Sequence, residues 1–132
     1  MSQENVELAL RTFDAVSRRD LNALLALMDD DVEVVTRIAA MEGGLRGHAG
    51  IRRWWENMFA AFPDFEFEVV DVRDLGDVAL ASLRSLGHGA ESDVPFEDLL
   101  WHASQWRRGK CVWWRAFETE TEAVEAVALR GE

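Results

Sequence analysis

The sequence predicts an α+β fold in which one curved, mixed or antiparallel sheet receives three helices on its concave face and is followed by a short C-terminal helix. Two observations indicate this class. Apolar residues recur at helical spacing through residues 6–28 and 48–62, and strand-like segments joined by short turns follow from residue 65 onward. The 132 residues, 48% of them apolar, correspond to a single domain (residues 1–132) and are sufficient to bury a core.

Two helices begin the predicted fold. The first carries an apolar stripe at three- and four-residue spacing, which consists of Val6, Ala9, Leu10, Phe13 and Val16. Asp20 is placed to cap a second helix, whose stripe is Leu21, Leu24, Leu25 and Met28. We expect the acidic run of residues 29–31 to end that helix, and residues 32–36 to form a strand.

A glycine-rich segment, residues 42–47, separates this strand from a third predicted helix. That helix begins at His48, ends before Pro63 and buries Ile51, Trp54, Trp55, Met58 and Phe62. Four strands are predicted after it, over residues 65–72, 78–88, 96–106 and 110–117. The segment from Thr119 to Glu122 has the pattern of a capping box, which predicts a final helix carrying Val124, Val127 and Ala128.

The last hairpin predicts a register from which the two faces of the sheet follow. A three-residue loop, Arg107–Gly109, places Trp106 opposite Lys110 and His102 opposite Trp114. One face then carries Leu100, His102, Ser104, Trp106, Val112, Trp114 and Ala116. The other carries Leu99, Trp101, Ala103, Gln105, Cys111, Trp113, Arg115 and Phe117. Because both faces are apolar, we expect a second subunit to cover the outer face in a homodimer centred on Trp101, Trp113 and Phe117.

Charge and cysteine content argue against several classes of partner. Twenty-five acidic residues against 14 basic ones give a formal net charge of −11, which predicts repulsion from nucleic acids and from anionic membranes. The one cysteine cannot form an internal disulfide, as expected in a reducing compartment. The sequence has no pattern of a signal peptide and no apolar run near the ~18 residues of a membrane helix, so we expect a cytoplasmic protein.

Three segments resemble a known superfamily. Residues 19–24 and 27–33 are similar to its passage from the second helix into the first strand. Residues 47–52 resemble the start of its third helix, with a glycine followed four residues later by isoleucine, and residues 109–112 resemble its last hairpin. Together they resemble the SnoaL-like polyketide cyclases, within the superfamily of nuclear transport factor two and ketosteroid isomerase. The resemblance implies a cone-shaped fold that tends to leave a ligand cavity.

The resemblance does not extend to the chemistry of ketosteroid isomerase. The positions of that enzyme's tyrosine donor, aspartate base and protonated aspartate correspond here to Phe13, to Thr36 (or Val35 if the register slips by one) and to His102. Phe13 has no hydrogen to donate to a developing enolate oxygen. We therefore do not expect a steroid isomerase.

His102 is the candidate catalytic residue, because a neutral imidazole can accept or donate a proton near pH 7. A structural or pocket-wall histidine is the alternative. Burial beside Leu100, Trp106 and Trp114 is expected to lower its pKa. The candidate ligand-binding residues, whose aromatic members either line a cavity or fill it, are Phe13, Thr36, Arg37, Trp54, Met58, Leu100, Ser104, Trp106 and Trp114.

Other polar residues give weaker indications. Asp98 shares the strand face of His102, and we expect it to form a structural ion pair with Arg84 on the neighbouring strand. The remaining histidines, His48 and His88, lie on separate predicted elements. Because the sequence also has no zinc motif and no phosphate-binding loop, we expect neither a metal nor an organic cofactor.

Three functions stay open at this point. The first is a cofactor-independent enzyme of the isomerase, cyclase or lyase type that acts on a small apolar metabolite, either carbonyl-containing or polycyclic, with His102 as acid or base and Arg37 or Thr36 as a polar anchor. The second is a non-catalytic ligand-binding or accessory dimer that uses the same cone. The third is a protein-interaction module of the nuclear transport factor type, which would use the apolar outer face of the sheet.

Overall fold

A computed structural model describes residues 2–36 and 44–130. Within them lie four helices and one six-stranded sheet. The helices are α1 (Ser2–Ser17), α2 (Leu21–Ala26), α3 (Gly47–Ala61) and α4 (Glu120–Arg130). The strands are β1 (Met28–Val35), β2 (Leu45–Arg46), β3 (Glu66–Asp74), β4 (Val78–His88), β5 (Pro95–Arg107) and β6 (Lys110–Phe117). The predicted α+β class is confirmed.

The sheet has the order β2-β1-β6-β5-β4-β3 and is mixed. Every neighbouring pair is antiparallel except β1 and β6, which run parallel. Helices α1, α2 and α3 pack over one face, where α1 lies on β3 and β4 and α3 lies on β1 and β2. The main core between them contains Phe13, Val16, Leu24, Ile51, Trp54 and Trp114, each with 2% or less of its surface exposed. None of the helices in the described residues is long and apolar enough to cross a membrane.

The beginning of β1 differs from the prediction. Asp20 caps α2 as expected, with its Oδ1 accepting from the backbone N–H of Ala23 at 3.0 Å. The helix ends at Ala26, and the acidic run lies inside β1 rather than at the helix end. The register of β1 against β6 shifts between Met28 and Glu33, so the acidic residues occupy an irregular stretch of strand. There the Asp29 side chain accepts from the backbone N–H of Asp31, which replaces a lost ladder bond.

The register of the last hairpin was predicted wrongly. Arg107 pairs with Lys110, so the loop has two residues, Arg108 and Gly109, both at positive φ (54° and 76°). Such angles are typical of a two-residue hairpin turn. A register shift between Gln105 and its neighbour then displaces the rest of the ladder.

This register shift explains which residues lie on the face of the sheet that the sequence predicted for them. His102 pairs with Ala116 and Ser104 with Trp114, which is two residues away from the predicted pairing and leaves these four side chains on their predicted face. Val112, predicted on the same face, packs instead against the opposite cluster that contains Trp113 and Phe117. At Cys111 the shift is a single residue, so this side chain joins the core under the helices instead of the outer face. Burial there raises the pKa of the Cys111 thiol to about 12.

The outer face of the sheet is covered by the chain's own C-terminal helix. The predicted capping box is present, since the Glu122 backbone N–H donates to Thr119 Oγ1 at 3.2 Å. Helix α4 packs Ala123 and Val127 against Trp113 and Phe117 in a second apolar cluster. The inference that these two aromatic residues require a second subunit is therefore wrong, because α4 already buries them.

Polar contacts fix the end of α4 on the sheet. Arg130 Nε donates to Gln105 Oε1 at 2.9 Å, and Gln105 Nε2 donates to Asp77 Oδ2 at 2.8 Å. The Arg130 guanidinium lies 4.4 Å from the ring centre of Trp113. A cation over an indole face adds attraction to the apolar packing of the helix.

The docking of α4 can be tested with two arginine substitutions on the same helix. Val127 is 9% exposed in the second cluster, whereas Leu129 is 74% exposed. Val127→Arg should lower the free energy of unfolding by about 2–4 kcal/mol, because it places a charge in an apolar contact, and Leu129→Arg should change it by less than about 0.5 kcal/mol. Urea unfolding measures both. Equal stability of the two variants would show that α4 is not docked.

Candidate functional site

A cavity of about 210 Å³ lies between α3 and the sheet. Strand β5 supplies one wall through Phe96, Asp98, Leu100 and His102, which are alternate residues and therefore share a face. Helix α3 supplies the opposite wall through Trp54 and Met58, four residues apart on one helix face. The cavity surface is almost wholly apolar.

Aromatic rings complete the enclosure. Phe62 follows α3 and stacks on Phe96, with 4.6 Å between the ring centres. Phe65 and Phe67 meet edge to face at 5.0 Å beside them. Four rings around so small a space provide flat surfaces that suit a planar ligand.

His102 is held by one hydrogen bond and packed by aromatic rings. Its side chain is buried, and Trp114 Nε1 donates to His102 Nδ1 at 3.0 Å. The rings of Phe13 and Phe67 meet the imidazole edge to face, at 5.9 Å and 5.4 Å. An indole nitrogen can only donate, so Nδ1 must carry the lone pair and the neutral ring must carry its proton on Nε2.

Burial keeps this imidazole neutral. Desolvation lowers the pKa of His102 to about 3, in the direction expected from the sequence. Its Nε2 makes no hydrogen bond with any residue in the described part of the chain. Near neutral pH His102 is therefore an N–H donor whose other nitrogen is already occupied, and it has no free lone pair with which to act as a base.

Asp98 is a cavity residue that the sequence assigned to a different partner. It lies opposite Ser85, another lining residue, and both side chains face the cavity. Arg84 belongs to the outer face, where its nitrogens lie 2.6 Å from Glu68 Oε1 and 3.4 Å from Glu97 Oε2. The predicted ion pair between Arg84 and Asp98 is wrong, because neighbouring residues of a strand point to opposite faces.

The other predicted site residues divide into three groups. Thr36, Trp54, Met58 and Leu100 line the cavity together with His102. Arg37 lies outside the described residues. The residues that do not line it, contrary to expectation, are Phe13, Ser104, Trp106 and Trp114.

These four residues form a layer behind the lining. Phe13 and Trp114 pack on His102, and Trp106 Nε1 donates to Ser104 Oγ at 2.9 Å. Ser104 and Trp106 lie farther along β5 than the lining residues of that strand, which end at His102. The face of β5 on which Ser104 and Trp106 lie was correctly predicted, but their distance along the strand from the cavity was not.

Near the stacked rings, two hydrogen-bonding contacts between Asp64 and His88, called here the polar clamp, join the segment after α3 to the end of β4. The His88 backbone N–H donates to Asp64 Oδ1 at 2.7 Å, and His88 Nδ1 lies 2.6 Å from Asp64 Oδ2. The hydrogen bond to Asp64 raises the pKa of His88 above its ordinary value. The clamp fixes the segment after α3, which carries Phe62, against the end of β4.

Metal ligation has no support in the described residues. Within residues 2–36 and 44–130, no group of three or more His, Cys, Asp or Glu side chains is arranged to hold a metal ion. His48, on α3, lies with its Nε2 2.9 Å from the backbone oxygen of Met28.

A mixed six-stranded sheet covered by helices over an apolar cavity is similar to solved structures of ketosteroid isomerase-like and NTF2-like fold. The chain belongs to the SnoaL-like domain family, whose model matches residues 9–123. The family predicted from the sequence is thus confirmed. Among curated proteins, none matches this chain.

Solved structures of similar fold include two with bound small molecules. TerC, co-crystallised with polyporic acid, is 20% identical, with 93% of this chain and 96% of that chain covered and a TM-score of 0.76. A hypothetical protein of ketosteroid isomerase-like fold from Catenulispora acidiphila, in complex with trimethylamine, is 18% identical over 86% of each chain, with a TM-score of 0.76.

A third similar structure is an NTF2-like protein of unknown function from Burkholderia pseudomallei. It is 14% identical over 92% of this chain and 95% of that chain, with a TM-score of 0.78. At these identities the likeness shows the fold alone.

The sequence analysis missed Phe65, Phe67, Ser85, Phe96, Asp98 and Ala116 as lining residues. A signal existed for two of them, because Phe96 and Asp98 continue the two-residue period that starts at His102 and Leu100. Ser85 and Phe67 come from strands whose register with β5 and β4 follows only from the structure.

The neutral state of His102 predicts a pH-dependent stability. Between the ordinary imidazole pKa of 6.5 and the folded value of about 3, the unfolded chain binds more protons than the folded one, so stability is lost as the pH falls. Between about pH 7 and about pH 5, wild type should lose about 2 kcal/mol more unfolding free energy than His102→Gln. Urea unfolding at both pH values measures this.

His88 has the opposite pH sense and is unchanged in both proteins. Its pKa is raised, so its contribution is complete below the ordinary value and is lost as the pH rises through the raised one. The difference between wild type and His102→Gln therefore isolates His102. Identical losses in the two proteins would mean that the imidazole is charged or solvated in the folded state.

Proposed function

We propose that the cavity binds a small, flat, apolar compound with a carbonyl group, which accepts a hydrogen bond from His102 Nε2. The supporting observation is a buried imidazole whose Nε2–H has no partner among the described residues and whose side chain lines an aromatic cavity. A buried donor without a partner costs about 1–3 kcal/mol, and a ligand acceptor would recover that energy.

The dimensions of the cavity support a small ligand. Its volume of about 210 Å³ is below the ~300–1,000 Å³ of pockets for drug-sized molecules. A compound of one or two fused rings fits this space between Phe62, Phe65 and Phe67. The similar proteins from the comparisons, one bound to polyporic acid and one to trimethylamine, support a small molecule as the occupant.

A pair of bicyclic probes tests the role of His102. Indane has no acceptor, and 1-indanone is the same skeleton with one carbonyl. His102→Phe removes the donor but keeps a flat ring, so it should weaken binding of 1-indanone about tenfold and that of indane less than twofold. Isothermal titration calorimetry measures both affinities.

His102→Gln is the matched control, because its amide restores an N–H. It should recover most of the affinity for 1-indanone. If His102→Phe loses the same affinity for 1-indanone as for indane, the role of His102 is packing alone. If neither probe binds wild type, the cavity is not a ligand site.

A second candidate function is cofactor-independent proton transfer on the bound compound. The observation that favours it is Asp98, a carboxyl group that lines the same cavity as the neutral donor His102. A carboxylate can take a proton from carbon next to a carbonyl, while an N–H stabilises the resulting enolate oxygen. Return of the proton to another carbon completes an isomerisation. The sequence analysis gave the acid–base role to His102; here Asp98 takes it.

Hydrogen–deuterium exchange at the carbon next to the carbonyl of 1-indanone tests this second function. In D₂O, wild type should accelerate the exchange, and Asp98→Asn should reduce the acceleration by about a hundredfold or more without losing affinity. Glu97→Gln, one residue away on the outer face, should behave as wild type. Binding without accelerated exchange in wild type would favour the non-catalytic ligand-binding or accessory alternative.

The homodimer remains a proposal with a smaller contact surface. Since α4 covers Trp113 and Phe117, the proposed interface would rest on apolar residues of the outer face that stay partly open, such as Leu99, which is 45% exposed, and the half-buried Trp101. The interaction-module alternative would use the same two residues. A single domain, a cytoplasmic location and the lack of nucleic-acid partners also stay predictions from the sequence.

A further inference from the structure

Trp54 is a buried polar group that the proposed function does not use. Its side chain lies on α3, lines the cavity and has 0% of its surface exposed. Its Nε1 makes no hydrogen bond with any residue that the structure describes. An indole nitrogen is only a donor, so its partner must supply an acceptor.

The other two buried indoles of the main core are satisfied. Trp106 Nε1 donates to Ser104, and Trp114 Nε1 donates to His102. Buried polar groups in native proteins are paired in the great majority of cases, and an exception needs a reason. Trp54 is that exception among the three indoles of the main core.

Trp54 and His102, whose Nε1 and Nε2 have no acceptor among the described residues, are neighbours in the cavity wall. Both rings pack on Trp114, with ring centres 5.1 Å and 6.1 Å away. One donor comes from the helix side and the other from the sheet. Both side chains line the space between α3 and β5, and neither N–H has an acceptor among the described residues.

We propose that Trp54 Nε1–H is a second ligand-binding donor, and that the ligand class is a flat compound with two acceptor groups, such as two carbonyls on a fused ring. This rests on the proposed function, since it assigns a second polar contact to the same ligand. A compound with a single carbonyl leaves one buried donor unpaired, which makes Trp54 a specificity-determining residue.

Water is a poor substitute for the second acceptor. A buried water needs two to four polar partners, roughly three on average. Besides the two donors, the polar side chains in the described lining are those of Thr36, Ser85 and Asp98, and the exposed cavity surface is nearly all apolar. A rigid ring system can instead present an acceptor to each donor while its apolar surface fills the space between the phenylalanine rings.

Three bicyclic probes and two tryptophan variants test the proposal. N-methylphthalimide has two carbonyls on a fused six- and five-membered bicycle whose five-membered ring contains an N-methyl nitrogen. The all-carbon bicycles 1-indanone and indane carry one carbonyl and none. Trp54→Phe should weaken binding of N-methylphthalimide about tenfold and that of indane less than twofold. Trp55→Phe is the matched control, since Trp55 is half-buried, packs on Phe59 and does not line the cavity. Calorimetry measures all affinities.

An NMR measurement keeps the test valid if Trp54→Phe folds poorly. In wild type labelled with ¹⁵N-tryptophan, the six indole N–H signals are separate probes. N-methylphthalimide should move the Trp54 proton downfield, as a new hydrogen bond does, and indane should not. The Trp54 signal is assigned as the one that is missing from the spectrum of Trp54→Phe. If that variant does not fold, single substitutions such as Trp55→Phe identify the signals of the other tryptophans, and the remaining signal belongs to Trp54.

The outcomes separate this proposal from the one on which it rests. If 1-indanone depends on His102 but N-methylphthalimide binds Trp54→Phe as tightly as wild type, the second donor is overturned and the first remains. Equal weakening of all three probes by Trp54→Phe would also overturn it, because packing alone explains that result. If none of the three binds wild type, both proposals fail together.

Discussion

The hydrogen bond from Trp114 Nε1 to His102 Nδ1 decides the chemistry of the whole cavity. It joins β5 to β6 under the helices and settles which imidazole nitrogen carries the proton. With Nδ1 occupied and the ring desolvated, His102 is a neutral donor toward the cavity. Phe13, Trp54 and Phe67 pack around this pair, so the core that stabilises the fold also fixes the protonation of the site.

The polar groups of the cavity therefore differ in chemistry: His102 donates a hydrogen bond, and Asp98 is the candidate to accept a proton. A donor whose lone pair is occupied can polarise a carbonyl but cannot remove a proton, which leaves Asp98 as the group in the lining that could do so. The indole of Trp54 repeats the donor character of His102 on the helix side. The site is therefore suited to compounds that accept hydrogen bonds and are otherwise apolar.

The sheet has two apolar faces and each has its own cover. Helices α1 to α3 enclose the cavity on one side, and α4 buries Trp113 and Phe117 on the other. The composition alone indicated two apolar faces but not their covers. A helix of the same chain loses no translational entropy when it packs on the sheet, whereas a second subunit would. The hydrogen bond from Arg130 to Gln105 fixes the end of this helix.

The sequence by itself determined the order of the elements apart from β2, the helix caps at Asp20 and Thr119 and the face on which His102 lies, because these depend on local periodicity and local hydrogen bonds. Strand β2 lies in the segment that was predicted as a glycine-rich loop. The register of the last hairpin, the burial of Trp113 by α4 and the pairing of Asp98 with Ser85 were decided only by the tertiary structure. Periodicity gives the side to which a residue points but not its partner across the fold, since a single bulge or a distant helix changes that partner without any local signal.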